Sequence, residues 1–186
     1  MTILALADQP PSRPIKQLLA ENRIDLICTL GDFEQSQLQE LVAVTTIPKI
    51  GIYGNHCSGM YFGPLGIKNM HLTTFEFGGL TFGGFEGCVR YKQLVYAKMY
   101  TQEEAIKLLR DFPRVDVLLA HCPAFGINDE PDEVAHQGFK ALRVYLETKK
   151  PAYHFHGHTY PPVNQLVTSF GETKIVYVTG EKIVSI

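Results

Sequence analysis

The chain has 186 residues and is 45% hydrophobic, enough for one domain with a substantial core and too few for two. Its formal net charge of -2 offers no basic surface for bulk nucleic-acid or anionic-membrane binding. No apolar run approaches the roughly 20 residues of a membrane span, and the run after Met1 is far short of a secretory leader. Cys28, Cys57, Cys88 and Cys122 form no C-x-x-C pair and no disulfide framework, so a reducing cytoplasm is the expected setting.

Ile3–Ala7 reads as a buried strand that ends at Asp8. Ser12 is placed to cap a helix with Pro14 in its first turn, running to about Asn22, with an apolar face of Ile15, Leu18, Leu19 and Ile24. Leu26–Leu30 is a second strand, ending at Gly31-Asp32. A second helix is expected from Gln35 to Val44, with Leu38, Leu41 and Val42 on its apolar face. Pro48 stops it, and Lys49–Tyr53 forms a strand that ends at Gly54-Asn55-His56. This alternation argues for a largely parallel sheet.

Leu72–Phe77 and Leu80–Phe85 flank Gly78-Gly79 and read as a hairpin. Thr101-Gln102-Glu103-Glu104 is a capping box that opens a helix to about Phe112. Val115–Ala120 is a strand leading into His121, and Gly138–Lys149 is a helix. Tyr153–Phe155 is a strand leading into His156-Gly157-His158. Three short strands, Gln165–Phe170, Lys174–Thr179 and Lys182–Ile186, read as an antiparallel meander. One parallel half and one β-rich half suggest two sheets face to face with helices outside.

Five polar signatures thus follow five apolar runs. Strand ends along one sheet edge place their loops in one crevice, where α/β proteins bind ligands. Asp32 offers a carboxylate, Asn55 an amide oxygen, His121 and His158 imidazole nitrogens. Together they fill four positions around a divalent cation of the Mn, Fe or Zn kind and leave room for water. Singly, each has an ordinary structural reading. Asp32 could cap the next segment, Gly54-Asn55 could be only a turn, and His121 could be a satisfied buried histidine. The alternation His154-x-His156-x-His158 puts all three on one strand face, where packing would also explain them.

The ordered set Asp8-Gln9-Pro10, Gly31-Asp32, Gly54-Asn55-His56-Cys57, His121 and Gly157-His158-Thr159-Tyr160 resembles the calcineurin-like metallophosphoesterase superfamily. Its pattern is Asp-x-His, Gly-Asp, Gly-Asn-His-Asp/Glu, a lone His and Gly-His-x-His. The resemblance runs over essentially the whole chain and implies one domain, 1–186. It also implies an α/β (α+β) fold, a four-layer αββα sandwich of two mixed sheets. The segment containing Cys122-Pro123-Ala124-Phe125-Gly126 and His136-Gln137-Gly138-Phe139 looks like a small bacterial branch.

The resemblance implies hydrolysis of phosphomonoesters or phosphodiesters of small molecules, and two metals bridged by the Gly-Asp carboxylate. Pro10 and Tyr160 stand where the family has histidines, so one site keeps only Asp8 and Asp32. The other keeps Asp32, Asn55, His121 and His158. One tight cation and a second weak one are expected. Tyr160 is expected to pack or hydrogen-bond rather than ligate. His56 matches the histidine that protonates the leaving oxygen, but its acidic neighbour is Cys57 here, with Glu86 as a substitute partner from elsewhere. Arg90 could hold a phosphate or be a structural arginine. The alternative to an enzyme is a catalytically retired phosphoesterase fold that binds or scaffolds.

Overall fold

The structure, a computed structural model, describes residues 1–57, 59–94 and 97–186. Strands β1 (Thr2–Ala7), β2 (Leu26–Thr29), β3 (Lys49–Gly51) and β4 (Lys68–Asn69) run parallel in one sheet. Helices α1 (Ile15–Glu21) and α2 (Phe62–Leu65) lie between them in sequence. The second sheet contains β5 (Thr74–Phe77) and β6 (Leu80–Phe85), which form the expected hairpin. Gly78 and Gly79 turn it with φ of 58° and 79°, the left-handed conformation that two-residue hairpin turns require. A small pair, β7 (Cys88–Val89) and β8 (Met99–Tyr100), follows, and then α3 (Gln102–Leu109), which opens with the Thr101–Glu104 capping box. Next come β9 (Val117–Ala120), α4 (Lys140–Lys149), β10 (Tyr153–His156), β11 (Ser169–Phe170), β12 (Thr173–Tyr177) and β13 (Gly180–Ser185).

The sheet orders are β13-β1-β2-β3-β4 and β11-β12-β10-β9-β6-β5. In the second sheet β12, β10, β9 and β6 are parallel, and β11 and β5 are antiparallel edges. Alternation along the strands builds the layers. Ile3, Ala5 and Ala7 of β1 meet Val117, Leu119 and Phe155 of the second sheet in one dry core. The opposite face of β1, Leu4 and Leu6, packs on Ile15, Leu18, Leu38 and Leu41. Leu118 and Ala120 of β9 face Ala105, Leu109, Leu142 and Tyr145 of α3 and α4. The result is helix, sheet, sheet, helix, the expected αββα sandwich of two mixed sheets. No helix among the described residues is long and apolar enough to cross a membrane.

Three expectations need correction. The C-terminal strands are not one meander, since β12 joins the second sheet beside β10 and β13 pairs antiparallel with β1 in the first. The turn between them therefore links the two layers. Gln35–Ala43 is a 3-10 helix rather than an α-helix. Its buried residues Leu38 and Leu41, followed by half-buried Val44, repeat every three residues, which suits a three-residue turn, and Val42 is exposed. Ser12 does not cap α1. Its hydroxyl and amide bond the Glu181 carboxylate, and Pro14 stands at the helix start.

Candidate metal centre

The ends of β1, β2, β9 and β10 are tied to one another directly. Asp8 N–H donates to the Gly31 carbonyl, Gly157 N–H to the His121 carbonyl, and His158 N–H to Asp8 Oδ2 at 2.9 Å. The first two strands belong to one sheet and the last two to the other, so the crevice sits where the two sheets meet. Asp8, Asp32 and His158 have positive φ, at 62°, 59° and 72°. Non-glycine residues rarely adopt this conformation, which costs on the order of 1–3 kcal/mol and clusters at functional sites. At each of these strand ends the left-handed turn redirects a side chain away from the pleat.

Four donor atoms converge at the centre. Around His121 Nε2 stand Asn55 Oδ1 at 3.0 Å, His158 Nδ1 at 3.1 Å and Asp32 Oδ2 at 3.4 Å. His121 is fully buried, and Asn55 and His158 are buried at 8% and 7% exposure. Adjacent ligands about 2.1 Å from a common ion lie about 3.0 Å apart in an octahedron and about 3.4 Å apart in a tetrahedron. The observed spacings fall in that range.

The protons of the two imidazoles are assigned by their other nitrogens. His121 Nδ1 lies 2.8 Å from the Leu30 carbonyl and His158 Nε2 lies 2.8 Å from the Ala135 carbonyl. A carbonyl only accepts, so both of these nitrogens carry hydrogen. In the neutral tautomers, Nε2 of His121 and Nδ1 of His158 then bring lone pairs face to face, with two oxygen acceptors beside them. Four acceptors facing one another are an arrangement that a proton or a cation relieves. Without a cation, His121 takes the proton. Burial opposes its charge, but Asp32 and then Asp8 outweigh burial and raise its pKa to about 9. Burial and then the charge on His121 hold His158 well below the usual histidine range. Asp32 stays ionised, since His121 more than offsets the burial that opposes its charge. Nitrogen, carboxylate and amide donors in this spacing fit a divalent cation.

Asp8 stands on the other side of the His121 ring. Its Oδ1 is buried without a hydrogen-bond partner, 3.7 Å from His121 Nδ1. Burial raises its pKa to about 6 against the attraction of His121. His56 is exposed at the rim. Its N–H donates to Asp32 Oδ1 at 2.7 Å, and its Nε2 lies 3.4 Å from the Tyr91 hydroxyl. Glu86 does not serve it. That carboxylate takes the Tyr100 hydroxyl and neighbours Lys98 and His71 instead. Arg90 is not brought to the cluster, because its guanidinium bonds Glu104 and the Met99 carbonyl. Tyr160 is 57% exposed rather than packed, with its ring edge on His136. His154 and His156 stack on each other on one face of β10, apart from the donor cluster. His158 leaves that face through its left-handed backbone.

Sequence reasoning missed several groups at the site. The Leu30 and Ala135 carbonyls that set the tautomers carry no side-chain signal. Tyr91, and His136, edge-on to His158 with Nδ1 3.2 Å from Glu130 Oε1, belong to none of the five metal signatures.

The calcineurin-like phosphoesterase family model matches residues 12–162. The chain belongs to the calcineurin-like phosphoesterase family. Solved structures share the fold. TT1561 of Thermus thermophilus is 14% identical with a TM-score of 0.59, over 96% of this chain and 88% of its own. A further crystal structure is also 14% identical with a TM-score of 0.64, over 94% of this chain and 89% of its own. No curated protein matches the chain closely enough to be called a relative. The family suggests metal-dependent hydrolysis of phosphate esters, and ligand atoms of Asp32, His121 and His158 lie within 4.8 Å of one another, close enough to hold a metal.

Proposed function

We propose that this chain is a single-domain phosphoesterase, 1–186, that hydrolyses phosphomonoesters or phosphodiesters of small molecules with one tightly held Mn, Fe or Zn ion. The observation that carries the reading is the cluster of four acceptor atoms, His121 Nε2 and the three around it, with both imidazole tautomers set by backbone carbonyls. Asp32, Asn55, His121 and His158 would hold the ion. When bound, a divalent cation supplies a Lewis acid for the phosphoryl oxygens and lowers the pKa of water. Asp8, with its unpartnered Oδ1, would help Asp32 hold a second, weaker cation.

The chain's own groups then divide the work. Asp32 fixes the rim, since its Oδ1 accepts the His56 N–H while Oδ2 faces His121 Nε2 and would hold the ion. His56 stands at the mouth, where its imidazole can donate a proton to the leaving oxygen. The Tyr91 hydroxyl steadies its Nε2 in place of the missing carboxylate. Four unpaired cysteines suit a reducing compartment, the cytoplasm.

A retired fold used for binding is the second reading. It is favoured by exposed Ile106 and Val144, which flank a groove of about 240 Å³ between α3 and α4. Hydrolysis of an activated phosphodiester and phosphomonoester, measured with Mn, Fe, Zn and Mg in turn, separates the two. Metal-dependent turnover lost in His158→Ala supports the enzyme. Tight metal binding without turnover on either ester supports the retired fold.

A further inference from the structure

Cys57 stands where the family pattern has an acid, and the structure gives its sulfur a defined set of partners. Asp32 N–H donates to Sγ at 3.2 Å and Gly54 N–H donates to it at 3.1 Å. The Tyr61 hydroxyl lies 3.3 Å from the same sulfur, and either group can donate. The two amides come from different strand ends. One belongs to the residue that carries the Asp32 carboxylate. The other belongs to the residue just before Asn55. Both ligand loops are thus fastened to one atom.

Tyr61 is itself fixed. It is 2% exposed and sits edge-on to Tyr53 and Phe62, with ring centroids 5.3 and 5.4 Å away. Tyr53 and Phe62 stack at 3.8 Å, and Phe62 N–H donates to the Tyr53 hydroxyl. A neutral thiol can accept the two amides and still share a proton with Tyr61, so no polar atom of the clamp is left unpaired.

We propose that Cys57 and Tyr61 form a sulfur–hydroxyl clamp that positions the Asp32 and Asn55 ligand loops for the metal. Cys57 is then a positioning residue for the ligand loops. The clamp is a property of the fold alone; its effect on affinity rests on the metal reading above. Groups that orient metal ligands typically change affinity 10- to 100-fold when removed.

Two measurements on the same variants separate the layers. The first is amide hydrogen exchange at Asp32 and Gly54 in metal-free protein. Cys57→Ala should speed exchange at both amides at least tenfold and leave β1 amides unchanged. The second is the dissociation constant for manganese by calorimetry. Cys57→Ala should raise it about 10- to 100-fold. Cys57→Ser, which keeps an acceptor, should stay within about threefold of the parent on the same scale. Tyr61→Phe keeps the ring, loses the hydroxyl, and should move both readouts in the direction of Cys57→Ala, which decides the matter if that variant fails to fold. Unchanged exchange at both amides in a folded Cys57→Ala or in Tyr61→Phe overturns the clamp. Faster exchange with unchanged manganese affinity overturns its positioning role. A parent that binds no manganese, zinc or iron counts against the metal reading, and the exchange result then stands as the test of the clamp.

Discussion

Metal binding should expel one proton from His121. In the metal-free protein this imidazole, flanked by Asp32 and Asp8, holds its proton up to about pH 9. A cation must take the place of that proton at Nε2. At pH 7 the competition weakens binding by roughly 100-fold, or about 2.7 kcal/mol, relative to a fully deprotonated site. The apparent dissociation constant should fall about tenfold per pH unit between pH 7 and 8.5, then level off. Calorimetry in buffers of different ionisation enthalpy counts the protons directly, and close to one should be released per ion at pH 7.5. The same shift governs stability. The folded pKa of about 9 lies above the ordinary value of 6.5, so the proton stabilises the metal-free fold fully below pH 6.5. That stabilisation, roughly 3 kcal/mol, is lost as pH rises through about 9. Asp8, with its pKa near 6, has titrated below that window. The Tm of metal-free protein should therefore fall by on the order of 10 °C between pH 6.5 and 10, and less in metal-loaded protein. Binding with no proton release at pH 7.5, together with a pH-independent affinity, would refute the assignment of His121 Nε2 as both proton holder and ligand.

His56→Ala should retain the metal and lower turnover by about 10²–10⁴-fold, since the imidazole sits at the rim and only its backbone touches Asp32; loss of metal equal to that in His158→Ala would contradict its role. Gly54→Ala should abolish tight metal binding. A Cβ there would fall 2.1 Å from Asp32 Oδ1 and 2.7 Å from His121 Cε1, so a folded variant with parental manganese affinity would contradict the close packing of these loops. Tyr160→His should add a manganese-binding event absent from the parent and raise phosphodiester hydrolysis, because an imidazole would join Asp8 and Asp32. Tyr160 is exposed, so the change costs little packing. A second ion bound without faster hydrolysis would show that the missing ligand does not limit activity.

Layer order and the gathering of Asp32, Asn55, His121 and His158 at one place were legible for a common reason. Strands β1, β2 and β9 are buried on both faces and read as nearly unbroken apolar runs, and each leads into a polar signature at the sheet edge. What was illegible depends on distance along the chain. The β13 strand resembles its neighbours in composition, and only pairing with β1 more than 170 residues away assigns its sheet. His154, His156 and His158 look equivalent in sequence, but the positive φ of His158 sends that one alone to the cluster. Cys57 read as a damaged acid, while its sulfur gathers two amides that the sequence separates by 22 residues. Arg90 suggested a phosphate fork, and Glu104 on the capping turn of α3 holds it instead.

Anomalous diffraction from crystals grown with limiting manganese or zinc tests the central claim most directly. The account predicts one strong peak per chain, within about 2.0–2.3 Å of His121 Nε2, His158 Nδ1, Asp32 Oδ2 and Asn55 Oδ1. A peak absent from that cluster, two peaks of equal occupancy, or an ion bound through His154 and His156 would contradict it.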